Sequence, residues 1–136
     1  MADDVRAAVE EFFAAVNSGD VDSVGDMMTE DFVEHEELEG LPPNREGVKQ
    51  FFTMAHAAFE GFQITPEQVI VEGDTAVVRA RMAGTHTGDF MGVPASGNSV
   101  DVGMIDIVRF DDGKAAEHWG ILDAMSLMQQ IGAIPG

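Results

Sequence analysis

The sequence predicts an α+β fold, in which a group of helices precedes a run of antiparallel strands. Three observations carry this expectation. Apolar residues recur at helical spacing in three segments between Val5 and Phe59. After Gly61 the pattern becomes extended, and the runs are divided by Gly-Asp and Asp-Gly turns. These runs follow one another without intervening helices, which argues against βαβ alternation. No internal repeat or low-complexity linker divides the chain, so residues 1–136 are expected to form a single domain around one core.

In chain order, residues 4–16 place Val5, Ala8, Val9, Phe12 and Val16 on one helical face. Asp3 and Asp4 favour the helix start, and Gly19 is a natural stop. Asp20 can cap a short second helix burying Val21, Val24, Met27 and Met28. The segment from Asp31 to Gly40 reads as a short strand entering a polar loop, which Leu41-Pro42-Pro43 closes. Asn44 caps a third helix with Val48, Phe52, Ala55 and Phe59 as its buried stripe, and Gly61 ends it. The strands then follow as Phe62–Glu72, Thr75–Thr87, Ser99–Phe110 and Lys114–Leu122, and Pro66 marks the first as an edge or bulged strand. A glycine-rich loop from Gly88 to Asn98 separates the second from the third. A last helix, Ala124–Ile131, stops at Gly132.

Charge is the strongest compositional signal, with 25 acidic residues against seven basic ones and a net charge of −18. Such a surface repels phosphate, so nucleic acid and anionic membrane are excluded as expected partners. Only Lys49 and Lys114 are lysines, and the acids are dispersed along the chain. This pattern fits adaptation to high salt, where self-repulsion is screened. The apolar content of 45% and nine phenylalanines argue against disorder. No apolar run approaches the roughly 18 residues of a membrane span. The N-terminus carries acids where a signal peptide would be basic, so a soluble cytoplasmic protein is the default expectation. Absence of cysteine excludes disulfides and thiolate metal sites.

Chemistry concentrates between Asp101 and Asp123, two strand-like runs joined at Asp111-Asp112-Gly113. If Asp112-Gly113 is a two-residue turn, Asp106 falls opposite Trp119. If all three residues form the loop, with Gly113 left-handed, Asp106 faces His118, and this register suits the Asp-Gly ending better. One face then carries Val102, Met104, Asp106, Val108, His118 and Leu122; the other carries Ile105, Ile107, Trp119 and Ile121. Both faces are largely apolar and need cover. The helices can cover one, and a second copy of the chain is expected on the other. An aspartate among valines and methionines is costly to leave unpaired, and His118 could satisfy it. Such a pair could equally do no more than lock the register.

Beyond these local readings, the segment Gly84-Thr85-His86-Thr87-Gly88, the spaced Phe90, Gly92, Pro94, Ala95 and Gly97, and the run Ile105-Asp106-Ile107 with Arg109 form a longer pattern. It continues through Asp112-Gly113-Lys114, Glu117-His118-Trp119, Asp123, and Leu127 with Gln130 and Gly132; Val33-Glu34-His35 lies upstream. In order and spacing this resembles the SnoaL-like polyketide cyclase (ester cyclase) family of the nuclear transport factor 2-like superfamily. The resemblance implies a cone, in which a strongly curved antiparallel sheet wraps three or four helices around a pocket. It also implies dimers. The family's cyclases close a ring by intramolecular aldol condensation without metal or cofactor, using an acid/base aspartate near the end of the strand that carries the Glu-His-Trp segment.

On this sequence Asp123 matches that aspartate, and Asp106 is the other candidate; His35, His86 and His118 match the pocket histidines. The expected catalytic set is therefore Asp123, His118 and Asp106, with His35, His86, Phe90, Met104, Trp119 and Phe52 contacting an apolar small-molecule substrate. The chemistry is sound, because a carboxylate of raised pKa can take a proton from a carbon flanked by carbonyls, and a neighbouring donor can hold the enolate. Strict alternation puts His118 and Asp123 on opposite faces. They share a pocket only if the strand bulges at Gly120 or ends before Asp123; otherwise Asp106–His118 is the better pair. No histidine pair has metal-ligand spacing, and His35 among Glu34, Glu36 and Glu37 reads as a solvated acidic loop, so no metal is expected. His56 reads as a packing residue. The same cone could also serve a non-catalytic carrier.

Overall fold

The computed structural model describes residues 2–36 and 40–135. Helices α1 (Ala2–Ser18) and α2 (Val21–Asp26) lead into strand β1 (Met28–Glu34), and α3 (Arg45–Ala58) precedes β2 (Phe59–Glu72). Then come β3 (Thr75–His86), β4 (Ser99–Asp111), β5 (Lys114–Leu122) and the closing helix α4 (Ala124–Gln130). The strands form one curved sheet in the order β1-β5-β4-β3-β2. It is antiparallel except at one edge, where β1 runs parallel to β5. The sheet is therefore mixed, and it brings the strand before α3 against the strand that carries His118. Among the described residues, no helix is long and apolar enough to cross a membrane.

The helices lie on one face of the sheet and supply a large part of the core. Val5, Val9, Phe13 and Val16 of α1 are buried, as are Val48, Phe52 and Ala55 of α3. Asn44 caps α3 by accepting the Gly47 N–H at 3.1 Å, and Asp20 caps α2 through the Ser23 N–H at 3.2 Å. His56 packs edge-on to Phe62 and donates from Nε2 to the Val16 carbonyl at 2.7 Å, tying α3 to α1. The helix α3 ends earlier than its apolar stripe predicts. Phe59 begins β2, where it pairs with His86 and is buried by the sheet. Gly61, at φ +68°, belongs to an irregularity inside β2, so it interrupts a strand and does not end a helix. A second irregularity follows Pro66, and β2 is an edge strand, as that proline requires.

The β4–β5 hairpin departs from both expected registers. Asp112 and Gly113 have φ of +50° and +81°, a primed two-residue turn that pairs Asp111 with Lys114. A bulge then adds one residue to β5, so Phe110 faces Ala115 while Arg109 faces Glu117. Beyond it Val108 lies opposite His118 and Asp106 opposite Gly120. The expected direct pairing of Asp106 with His118 was one step of two residues away from the observed one. A shift of two preserves facing, so the division of side chains between the faces is as expected.

Candidate active site

Between the helices and the sheet lies a cavity of about 370 Å³, lined mainly by Phe, Met, Val and Leu side chains. That volume and lining suit a small apolar ligand. Phe12 and Phe13 of α1, Phe51 and Phe52 of α3, Met82 of β3 and Met104 of β4 form much of its wall. Phe90 and Met91 reach it from the glycine-rich loop, and Leu41, Pro42 and Pro43 from the segment before α3. Among the described residues, the ionisable groups on the wall are Glu34, Glu36, Asp106 and His118.

These four converge because two strand pairings meet. Asp106 sits mid-strand in β4 with its side chain buried, and His118 reaches it diagonally, Nε2 donating to Oδ1 at 2.7 Å. The parallel pairing sets Glu34 beside His118, whose Nδ1 donates to Glu34 Oε2 at 2.5 Å. Both ring nitrogens thus face carboxylates, an arrangement that favours the imidazolium. Burial alone would lower the His118 pKa, but the hydrogen bonds and charges of Asp106 and Glu34 outweigh it and raise the value to about 10.

Glu36 completes the group. Its backbone N–H donates to Glu34 Oε2 at 3.0 Å, and ligand-type atoms of Glu34, Glu36 and His118 lie within 4.8 Å of one another. Burial pushes the Glu36 carboxyl above its ordinary value; nearby His118 opposes this, while Asp106 and Glu34 add to it. Space for it comes from Gly120. A Cβ there would collide with Glu36 Oε1 and stand 2.7 Å from His118 Cε1 and 2.8 Å from Asp106 Oδ1. The absent side chain opposite Asp106 is therefore part of the site.

A family model for SnoaL-like polyketide cyclases matches residues 4–131. The chain belongs to this family. Its relatives include two aklanonic acid methyl ester cyclases, DauD of Streptomyces sp. strain C5 and DnrD of Streptomyces peucetius. Each is 30% identical over 132 residues, a span covering 94% of this chain and 79% or 88% of the relative, respectively. Among solved structures, TsrD from Streptomyces laurentii superposes with a TM-score of 0.87 at 31% identity, over 96% of each chain. A nuclear transport factor 2-like cone, with its curved sheet closed by helices, is thus the fold of this SnoaL-like chain.

Of the residues expected at the site, Asp106, His118, Phe52, Phe90 and Met104 meet the cavity. Three histidines were expected there, and two lie elsewhere. His35 is on the outer face of the sheet, stacked on Trp119 with ring centroids 4.7 Å apart, so neither of these residues contacts the cavity. Alternation forces this, since His35 follows Glu34 and Trp119 follows His118. His86 is fully buried at the end of β3, its Nδ1 accepting from the Ser96 backbone N–H (3.2 Å) and facing Ser96 Oγ (2.9 Å). It ties the glycine-rich loop to the sheet.

Asp123, too, is placed away from the cavity wall. The ladder runs regularly through Gly120 to Leu122 without a bulge and β5 ends there, so Asp123 lies past the strand end, but it does not line the cavity. Asp123 instead caps α4, accepting from the Ser126 N–H at 3.2 Å and from Ser126 Oγ at 2.8 Å. The Ser126 side-chain and backbone hydrogen bonds hold its carboxyl below the usual carboxylate range, the wrong direction for a base facing an apolar cavity. Conversely, Glu34 and Glu36, which the sequence pattern assigns to a solvated loop, face the site. The available signal was the Glu-His-Glu alternation, which puts both glutamates on one face of an extended segment. Glu37, grouped with them in that loop, lies outside the described residues.

Proposed function

We propose that this protein is a polyketide cyclase that closes a ring by intramolecular aldol condensation, using general acid/base catalysis without a cofactor. The convergence of Glu34, Glu36, Asp106 and His118 on one wall of an otherwise apolar cavity carries this reading. The substrate class we assign is the methyl ester of a polyketide acid, after the DauD and DnrD relatives, which are named as aklanonic acid methyl ester cyclases. Glu36 takes a proton from a carbon flanked by carbonyls. The resulting carbanion attacks a second carbonyl carbon; a carbon–carbon bond forms and the carbonyl π pair moves to oxygen. That oxygen takes back the proton, so the reaction is a proton-balanced isomerisation that needs no oxidant or reductant.

Each group has a distinct part. A carboxyl of raised pKa is the stronger base once ionised, and it retains the proton long enough to return it. The cationic His118, fixed by Asp106 and Glu34, offers a preorganised positive charge to the enolate. Incubation with aklanonic acid methyl ester in deuterated water tests this. Ring closure and α-deuterium uptake are expected, both lost in Glu36→Gln and retained in Asp123→Asn. Tight binding without α-exchange would overturn the enzyme reading and leave a carrier.

The outer face of the sheet carries Ile105, Ile107, Trp119 and Ile121, all of which remain exposed on the single chain. A second copy covers this face in our reading, because so large an apolar surface is rarely left bare. Light scattering that gave a monomer at micromolar concentration would contradict it.

A further inference from the structure

We infer that His35, outside the cavity, is a positioning residue that sets Glu34 and Glu36 inside it by clasping the end of β1 to β5. The inference rests on the reading of Glu36 as the proton carrier, and it extends the site to the opposite face of the sheet.

β1 is the terminal strand of the sheet, its pairing with β5 is interrupted between Met28 and Val33, and the last paired residue is Glu34. An edge strand that stops at a catalytic side chain needs another anchor, or fraying would move that side chain. His35 provides one three times over. Its backbone N–H donates to the His118 carbonyl at 2.9 Å. Its ring lies on Trp119 with an interplanar angle of 5°. Its Nε2 donates to Glu117 Oε2 at 2.8 Å, and Glu117 Oε1 accepts from Arg109 Nε at 2.7 Å, which carries the anchor across to β4.

Alternation converts this external grip into internal placement. Glu34 and Glu36 flank His35 on the inward side, and both end beside His118, the residue whose own neighbours Glu117 and Trp119 hold His35. Among the described residues, no donor hydrogen-bonds the Glu36 carboxyl itself. Its placement depends on the backbone, through its N–H to Glu34 and through the clasp one residue earlier. The outer-face His35–Trp119 pair therefore has a role in the reaction although neither ring touches the substrate cavity.

The test is an NMR titration of the Glu36 carboxyl together with steady-state kinetics on aklanonic acid methyl ester, in wild type, His35→Ala, His35→Phe and Trp119→Ala. In His35→Ala the Glu36 titration should move down toward the ordinary carboxylate range as the segment loosens. In the same variant, kcat should fall on the order of tenfold or more, with KM changed less than about twofold, as expected for a misplaced reacting group. His35→Phe keeps the stack and loses only the Glu117 bond, so it should recover part of both effects; it also stands in if His35→Ala folds poorly. The loss in a His35→Ala/Trp119→Ala double variant should be smaller than the two single losses combined. An unchanged Glu36 titration in correctly folded His35 and Trp119 variants would overturn the inference. A shifted titration with unchanged kcat would support the clasp and overturn the proton-carrier reading, so the two claims fail separately.

Discussion

Replacing Gly120 with alanine adds one methyl group at the point where the acid cluster closes. The backbone accepts it, because Gly120 is not among the glycines with positive φ, so any effect comes from the side chain alone. The new Cβ would stand 2.7 Å from His118 Cε1 and 2.8 Å from Asp106 Oδ1, and closer still to Glu36 Oε1. Ordinary van der Waals contact begins near 3.4 Å, so the His118 and Asp106 atoms must retreat by about 0.6–0.7 Å and Glu36 Oε1 by more, or the strands must part. Overpacking of this kind costs about 1–3 kcal/mol of stability. Displacing reacting groups by a large fraction of an ångström costs up to about 100-fold in rate. We therefore expect kcat for ring closure to fall by roughly 10- to 100-fold, the melting temperature to fall by several degrees, and the His118 pKa to drop as its bonds to Asp106 and Glu34 lengthen. Kinetics, a thermal melt and a histidine NMR titration on one preparation read all three. Wild-type kcat in a variant with an unmoved His118 titration would refute the argument that the missing side chain is part of the site.

Two further expectations concern the whole molecule. The folded-state pKa of His118 is raised from 6.5 to about 10, so the native chain holds a proton that the unfolded chain releases between those values. The stability this contributes is fully present below pH 6.5 and is lost as pH rises through 10, at most about 5 kcal/mol in all. Urea denaturation at a series of pH values should show this decline, and stability that held level or rose from pH 7 to 10 would contradict it. The second concerns salt: with a net charge of −18, stability should fall steadily from molar salt to dilute buffer, and a flat response would remove the case for high-salt adaptation.

The fold class and the face assignments were legible because they depend on periodicity and parity. Asp106 and His118 share a face whichever even-numbered shift the hairpin adopts, so an incorrect turn still gave the correct pair. The same parity rule admitted Asp123 to the cavity only through a bulge at Gly120 or a strand ending before Asp123. The strand has no bulge and does end at Leu122, but Asp123 there caps α4 and does not line the cavity. The end of α3 was not legible. Phe59 continues the helical stripe in sequence, and only its ladder with His86 makes it a strand residue. Nor were Glu34 and Glu36 legible as site residues. Their alternation was visible, but the parallel pairing of β1 with β5, across a separation of 84 residues between Glu34 and His118, is a product of tertiary folding. Without that pairing, acids around a histidine resemble any solvated loop, and the histidine that faces outward resembles a ligand.

The proposed chemistry depends on a cationic imidazole held between two carboxylates at the cavity wall. A ¹⁵N NMR titration of the histidine side chains reads that state without a substrate. The His118 ring should keep both N–H protons at pH 8 and lose one only near pH 10, and Asp106→Asn should bring that transition down. A His118 that titrated near 6.5 in the folded wild-type protein would mean that the two carboxylates do not hold it as a cation, and the acid/base arrangement built on it would fall.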